Sequence, residues 1–91
     1  MTNVETEVSG QQLVDRAARQ HGWISNGDGG NDASHFREFA YRLPGTPAYV
    51  SAAYAFDGTL LWADGQGVMR ERCHFCEIDK VDRLVSFMAG N

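Results

Sequence analysis

The chain has 91 residues, 43% hydrophobic and 22% charged, with a formal net charge of −4. That length supports one domain with one modest core. Eight basic residues against twelve acidic ones exclude a phosphate-tracking surface, and no apolar run approaches the roughly 18 residues of a membrane span.

Residues 1–8 are polar and lack periodicity, so a short tail is expected ahead of a single domain over 9–91. The tail carries neither the basic start nor the apolar stretch of a secretion signal, and the expected setting is the cytoplasm. Ser9 stands three residues before Gln12, the spacing of a capping box. Leu13, Val14, Ala17, Ala18 and His21 follow at helical spacing. Gly22 suits the left-handed position after a helix, and Trp23 the apolar contact beyond it. The pattern predicts a helix over about 10–21, with a narrow, Ala-rich stripe that lies close to whatever it covers.

Residues 25–34 are all turn formers apart from Ala33, and predict a loop. Asp and Asn alternate there with Gly, as in calcium loops, but the EF-hand spacing fails. Its twelfth position falls on Phe39 counted from Asp28, and on Arg37 counted from Asn26, where a Glu is required.

A first strand is expected over 35–43, with Phe39, Tyr41 and Leu43 on one face. Pro44-Gly45-Thr46-Pro47 is a turn by composition. Strands over 48–56 and 59–64 flank Asp57-Gly58, which reads as a two-residue type I′ hairpin turn pairing Tyr54 with Leu61 and Ala52 with Ala63. The opposite face then carries Ala53, Ala55, Leu60 and Trp62. Both faces are substantially apolar, so either the helices flank the sheet unevenly or the second face meets a partner. Asp64-Gly65-Gln66-Gly67 reads as another turn, and 68–75 as a short fourth strand or an irregular crossing. The last helix is expected over about 76–89. Ile78, Val81, Leu84, Val85 and Met88 form its stripe, Asp79 and Arg83 an i,i+4 pair, and Gly90 its cap.

Cys73-His74-Phe75-Cys76 is the one motif with a chemical name. At a helix N-terminus such a pair forms a redox couple, and with His74 and a further histidine, or with a second chain, it supplies a zinc site. The plainer reading is two reduced, mostly buried structural cysteines, because free cysteine packs as a small apolar residue. No serine or cysteine stands beside a recognisable base, so a non-enzymatic protein without a cofactor is expected.

Helix, three strands, helix resembles in outline the double-stranded-RNA-binding domain. That family implies a Lys-rich start to the last helix, whereas Cys76-Glu77-Ile78-Asp79-Lys80 is net acidic, so nucleic-acid binding is not expected. Seven of the eight basic residues are Arg, with Lys80 the sole Lys. With Gly22-Trp23 after the first helix, the meander from Tyr49-Val50-Ser51 through Phe56-Asp57-Gly58-Thr59-Leu60-Leu61-Trp62, and a short closing helix, the chain resembles small accessory proteins of bacteriophages infecting high-GC actinobacteria. The resemblance implies a protein that binds and modulates a host protein.

The expected fold is therefore α+β: an antiparallel meander of three or four strands with both helices on one face. The expected function is non-enzymatic binding to a protein partner or to a second copy of the chain. The candidate binding residues are Tyr49, Tyr54 and Trp62 on the sheet and the Gly-rich loop at Asp28 and Asp32. The alternative is a zinc- or redox-linked module built on Cys73, Cys76 and His74.

Overall fold

A computed structural model describes residues 8–28 and 36–90, with the side chains of 26–28 left out. The fold is α+β, with two helices and one open antiparallel sheet. In chain order the elements are α1 (Gly10–Gln20), β1 (Ile24–Asp28), β2 (Arg37–Arg42), β3 (Tyr49–Tyr54), β4 (Leu60–Gln66), β5 (Arg72–Phe75) and α2 (Lys80–Met88). The strands lie side by side in sequence order, so the sheet has five strands rather than three or four.

Helix α1 starts and stops where its signals place it. The Ser9 hydroxyl accepts from Gln12 N at 3.2 Å, and the Gln12 side chain accepts from Ser9 N at 2.9 Å. At the other end Gly22 takes φ +82, and Trp23 N donates to Ala18 O at 2.8 Å, closing a Schellman turn. The narrow stripe is real: Val14, Ala17 and Ala18 are buried. A Cβ on Gly10 would lie 3.2 Å from both Leu60 N and Val81 Cγ2, so the helix start sits hard against β4 and α2.

The two helices run parallel on the same face of the sheet. Their N-terminal ends meet at Gly10 and Val81, and their C-terminal ends are joined by Trp23, whose Nε1 donates to Met88 O at 3.0 Å. Below them lies the core, centred on Val14, Trp23, Tyr41, Val50, Tyr54, Leu60, Phe75, Leu84 and Met88.

The hairpins depart from the expected turn. In the β3–β4 connection Gly58 N donates to Ala55 O at 2.9 Å, and Ala55 N donates to Thr59 O at 2.8 Å. Gly58, at φ +93, follows a tight turn through Phe56 and Asp57. This is the three-residue loop with a left-handed bulge residue, in place of the two-residue type I′ turn. Leu61 is then an extra residue on β4, so Tyr54 pairs with Leu60 rather than Leu61, while Ala52 still faces Ala63 and Ala53 faces Trp62. Leu60 thereby joins the core instead of the opposite face. Phe56 stands in the turn, exposed, rather than on a strand. The β4–β5 hairpin repeats the geometry: Arg70 N donates to Gly67 O, Gly67 N donates to Glu71 O, and Arg70 occupies the left-handed position at φ +66.

Four further expectations are corrected. Ser25 to Asp28 is an edge strand, paired to β2 with a bulge between Ser25 and Asp28; its backbone finds partners although its side chains are turn formers. Asp64-Gly65-Gln66 continues β4 instead of turning. A Cβ on Gly65 would lie 2.7 Å from Tyr49 O, so this glycine serves close strand packing. Residues 68–75 divide into a turn and strand β5. Helix α2 begins at Lys80, which leaves Ile78 outside it and 98% exposed instead of on the apolar stripe. The Asp79–Arg83 pair forms at 3.2 Å, and Gly90 caps the end at φ +91. Of the expected tail at 1–8, residues 1–7 lie outside the described residues.

Candidate binding surface

Strand alternation sorts the sheet into a helix-covered face and an open one. Among the described residues the open face presents three rows set by the register. One end row is Ile24, Arg42, Tyr49, Gln66 and Arg72. The middle row is Ala40, Ser51, Asp64 and His74. The third row is Glu38, Ala53 and Trp62. Tyr49 is 42% exposed and Ile24 46%. Trp62 is half-buried, and the Phe36 ring meets it edge-on with centroids 5.1 Å apart. Ala53, its cross-strand neighbour, is buried yet lies outside the main core. Phe36, Trp62 and Ala53 thus form a small apolar cluster on the face the helices leave uncovered.

Two of the expected sheet residues, Tyr49 and Trp62, share this face. The third does not: Tyr54 is fully buried under the helices. Its hydroxyl lies 2.7 Å from that of Tyr41, which in turn donates to Asp15 Oδ1 at 2.7 Å. Burial raises both tyrosines above the ordinary phenol range, and for Tyr41 the neighbouring Tyr54 and Asp15 push the same way. Tyr54 therefore leaves the candidate site and joins a buried polar chain that ties α1 to β2 and β3. Asp28 closes β1 opposite Phe39, and its side chain lies outside the described residues, as does all of Asp32.

The middle row brings together residues that sequence spacing alone does not connect. His74 Nδ1 pairs with Asp64 Oδ1 across the β4–β5 ladder, on the exposed surface. Ser51 faces Asp64 from the other side. The order across the sheet is Ser, Asp, His, so the carboxylate stands between hydroxyl and imidazole. A serine nucleophile needs the histidine in that middle place. The signal for this row was period-two alternation carried through β4 and β5, and it disappears once Asp64-Gly65-Gln66 is read as a turn.

The cysteine motif is divided by the same alternation. Cys73 points to the helix side, where it packs against the core, and His74 to the open side. Cys76 is exposed, and the helix starts only at Lys80 with Asp79 as its cap, so neither cysteine stands at the cap or in the first turn of α2. Burial, with Glu71 adding to it, raises the Cys73 thiol above its ordinary value, opposite to what a reactive thiolate requires. Among the described residues no three His, Cys, Asp or Glu side chains are grouped to hold a metal ion.

Comparison with known proteins finds no match among family models, curated proteins or solved structures. No described helix is long and apolar enough to cross a membrane.

Proposed function

We propose that the chain is a non-enzymatic binding module that engages a protein partner through the open face of its sheet, in keeping with a phage-type accessory protein acting on a host protein. The observation that carries this reading is the one-sided helix layer. Both helices cover the Tyr41–Tyr54 side, and a Trp62–Phe36 cluster with the exposed Tyr49 and Ile24 remains on the other. Two apolar patches, Phe36–Trp62–Ala53 and Tyr49–Ile24, flank the polar middle row of Ser51, Asp64 and His74, and exposed aromatics beside Arg42 and Arg72 are residue types that protein interfaces favour.

The test is capture of partners from an actinobacterial lysate with tagged wild type, Trp62→Ala, Tyr49→Ala and, as a control on the exposed segment before α2, Ile78→Ala. A near-stoichiometric protein lost with Trp62→Ala and kept with Ile78→Ala is the expected result. Capture that survives both open-face variants would overturn the reading.

A further inference from the structure

At the end of the molecule where both helices terminate, a hollow of about 230 Å³ opens between the α2 C-terminus and the β4–β5 turn. Its walls are Trp23, Leu43, Val68, Phe87 and Met88, and Glu71 stands at its side. The volume is below the roughly 300–1,000 Å³ of drug-sized pockets and suits one side chain. Its electrostatics point one way. The last turn of α2 contains no basic residue to offset the partial negative charge of its carbonyl end. The Glu71 carboxylate is set over the bare backbone of Gly67, where an added Cβ would lie 2.1 Å from Oε2, and Oε1 accepts from Met69 N at 3.0 Å. Oε2 has no hydrogen bond and Glu71 no ion pair among the described residues. No Lys or Arg lines the hollow.

We infer that this hollow is a subsite for one basic side chain, arginine or lysine, projecting from the protein partner; the inference rests on the protein-binding reading above. The aliphatic stem lies along Leu43, Val68 and Met88, and the cationic head meets Glu71 Oε2 beside the Trp23 and Phe87 rings. The hollow lies at the end of the sheet that carries the Tyr49 row, since Leu43 follows Arg42, Ala48 precedes Tyr49 and Gly67 follows Gln66, but on the helix side. A partner seated on Tyr49 would reach it around that end of the sheet.

The experiment is a nuclear magnetic resonance titration of the isotope-labelled full chain with blocked arginine, blocked lysine and blocked citrulline, the neutral isostere. The expected result is shifts of the Gly67, Glu71, Phe87 and Gly90 amides with the cationic probes and not with citrulline. Glu71→Gln, which keeps the shape, should weaken binding about two- to fivefold. Equal response to citrulline, shifts confined to other surfaces, no shifts, or undiminished binding by Glu71→Gln overturns the inference. If the probes fail while Trp62→Ala still abolishes lysate capture, the subsite is wrong and the open-face reading stands. If the probes bind and capture survives both Trp62→Ala and Tyr49→Ala, the basic-side-chain subsite stands and the open-face reading is wrong.

Discussion

At the scale of single residues, one strained position and one buried pair give the sharpest predictions. Arg70 holds the left-handed conformation that Gly58 holds in the sister hairpin. A side chain there costs roughly 1–2 kcal/mol against glycine, less what glycine loses in the unfolded chain. Arg70→Gly should raise the melting temperature by several degrees, about 0.5–1 kcal/mol; an unchanged or lower melting point would contradict the assignment. The Tyr54–Tyr41–Asp15 chain predicts an asymmetry. Tyr41 donates to Asp15 and accepts from Tyr54, so Tyr41→Phe strands two groups and should cost about 1–3 kcal/mol, whereas Tyr54→Phe removes only the outer donor and should cost about 0.5–1.5 kcal/mol. Denaturant unfolding of both variants checks the order. The same pair sets an alkaline limit. The folded state holds both phenols above their unfolded value near 10, so their stabilisation is complete below that pH and is lost as pH rises beyond it toward the folded values. Phenolate absorbance from Tyr41 and Tyr54 should accordingly appear together with unfolding; their ionisation with the fold intact would refute the buried chain.

At the scale of elements, legibility followed side-chain chemistry. The Ser9–Gln12 box, the Gly22-Trp23 stop, the Asp79–Arg83 pair and the Pro44-Gly45 turn were readable because each is a local interaction encoded by the residues that make it. Strand β1 was not, because Ser25-Asn26-Gly27-Asp28 is ordered through its backbone at a sheet edge, against its own turn propensity. The open-face Asp64–His74 pair was hidden for a related reason: Gly65 marks close approach to Tyr49 O and resembles a turn residue in sequence. Of the candidate site, Tyr49 and Trp62 share a face by alternation, and the same alternation puts Tyr54, five residues along β3 from Tyr49, on the opposite face; which face is buried is decided by where the helices pack, which strand periodicity does not encode. Gly58 gives this scale its prediction. It combines φ +93 with an added-Cβ position 2.6 Å from Ser9 Oγ, and its carbonyl accepts from Gln11 N at 2.9 Å. Gly58→Ala should therefore disturb the hairpin and the α1 cap together, costing more than the roughly 1 kcal/mol of a left-handed alanine alone. A loss no greater than that from Ser9→Ala would mean the two elements are not coupled there.

For the whole molecule, the question is how a layer of two short parallel helices stays on one face of a five-stranded sheet. It is pinned at both ends: where Gly10 meets Val81 and Leu60, and where Trp23 reaches across to the last turn of α2. Trp23 belongs to the segment leaving α1, packs 6.1 Å from Phe87 and donates to Met88 O, so one residue closes the helix layer at the end where the hollow lies. Trp23→Phe keeps most of the apolar ring and removes the donor. Met88 O is then left without that partner, at a cost of about 1–3 kcal/mol. Because α2 contacts the rest through its buried Leu84 and Met88, the loosening should begin at its C-terminal turn. Amide exchange in Trp23→Phe should accelerate at 85–90 more than in β2 and β3, whose ladders are flanked on both sides by other strands. Uniform acceleration across helices and sheet would instead show that the layer and the sheet open as one unit, and that Trp23 acts on global stability alone.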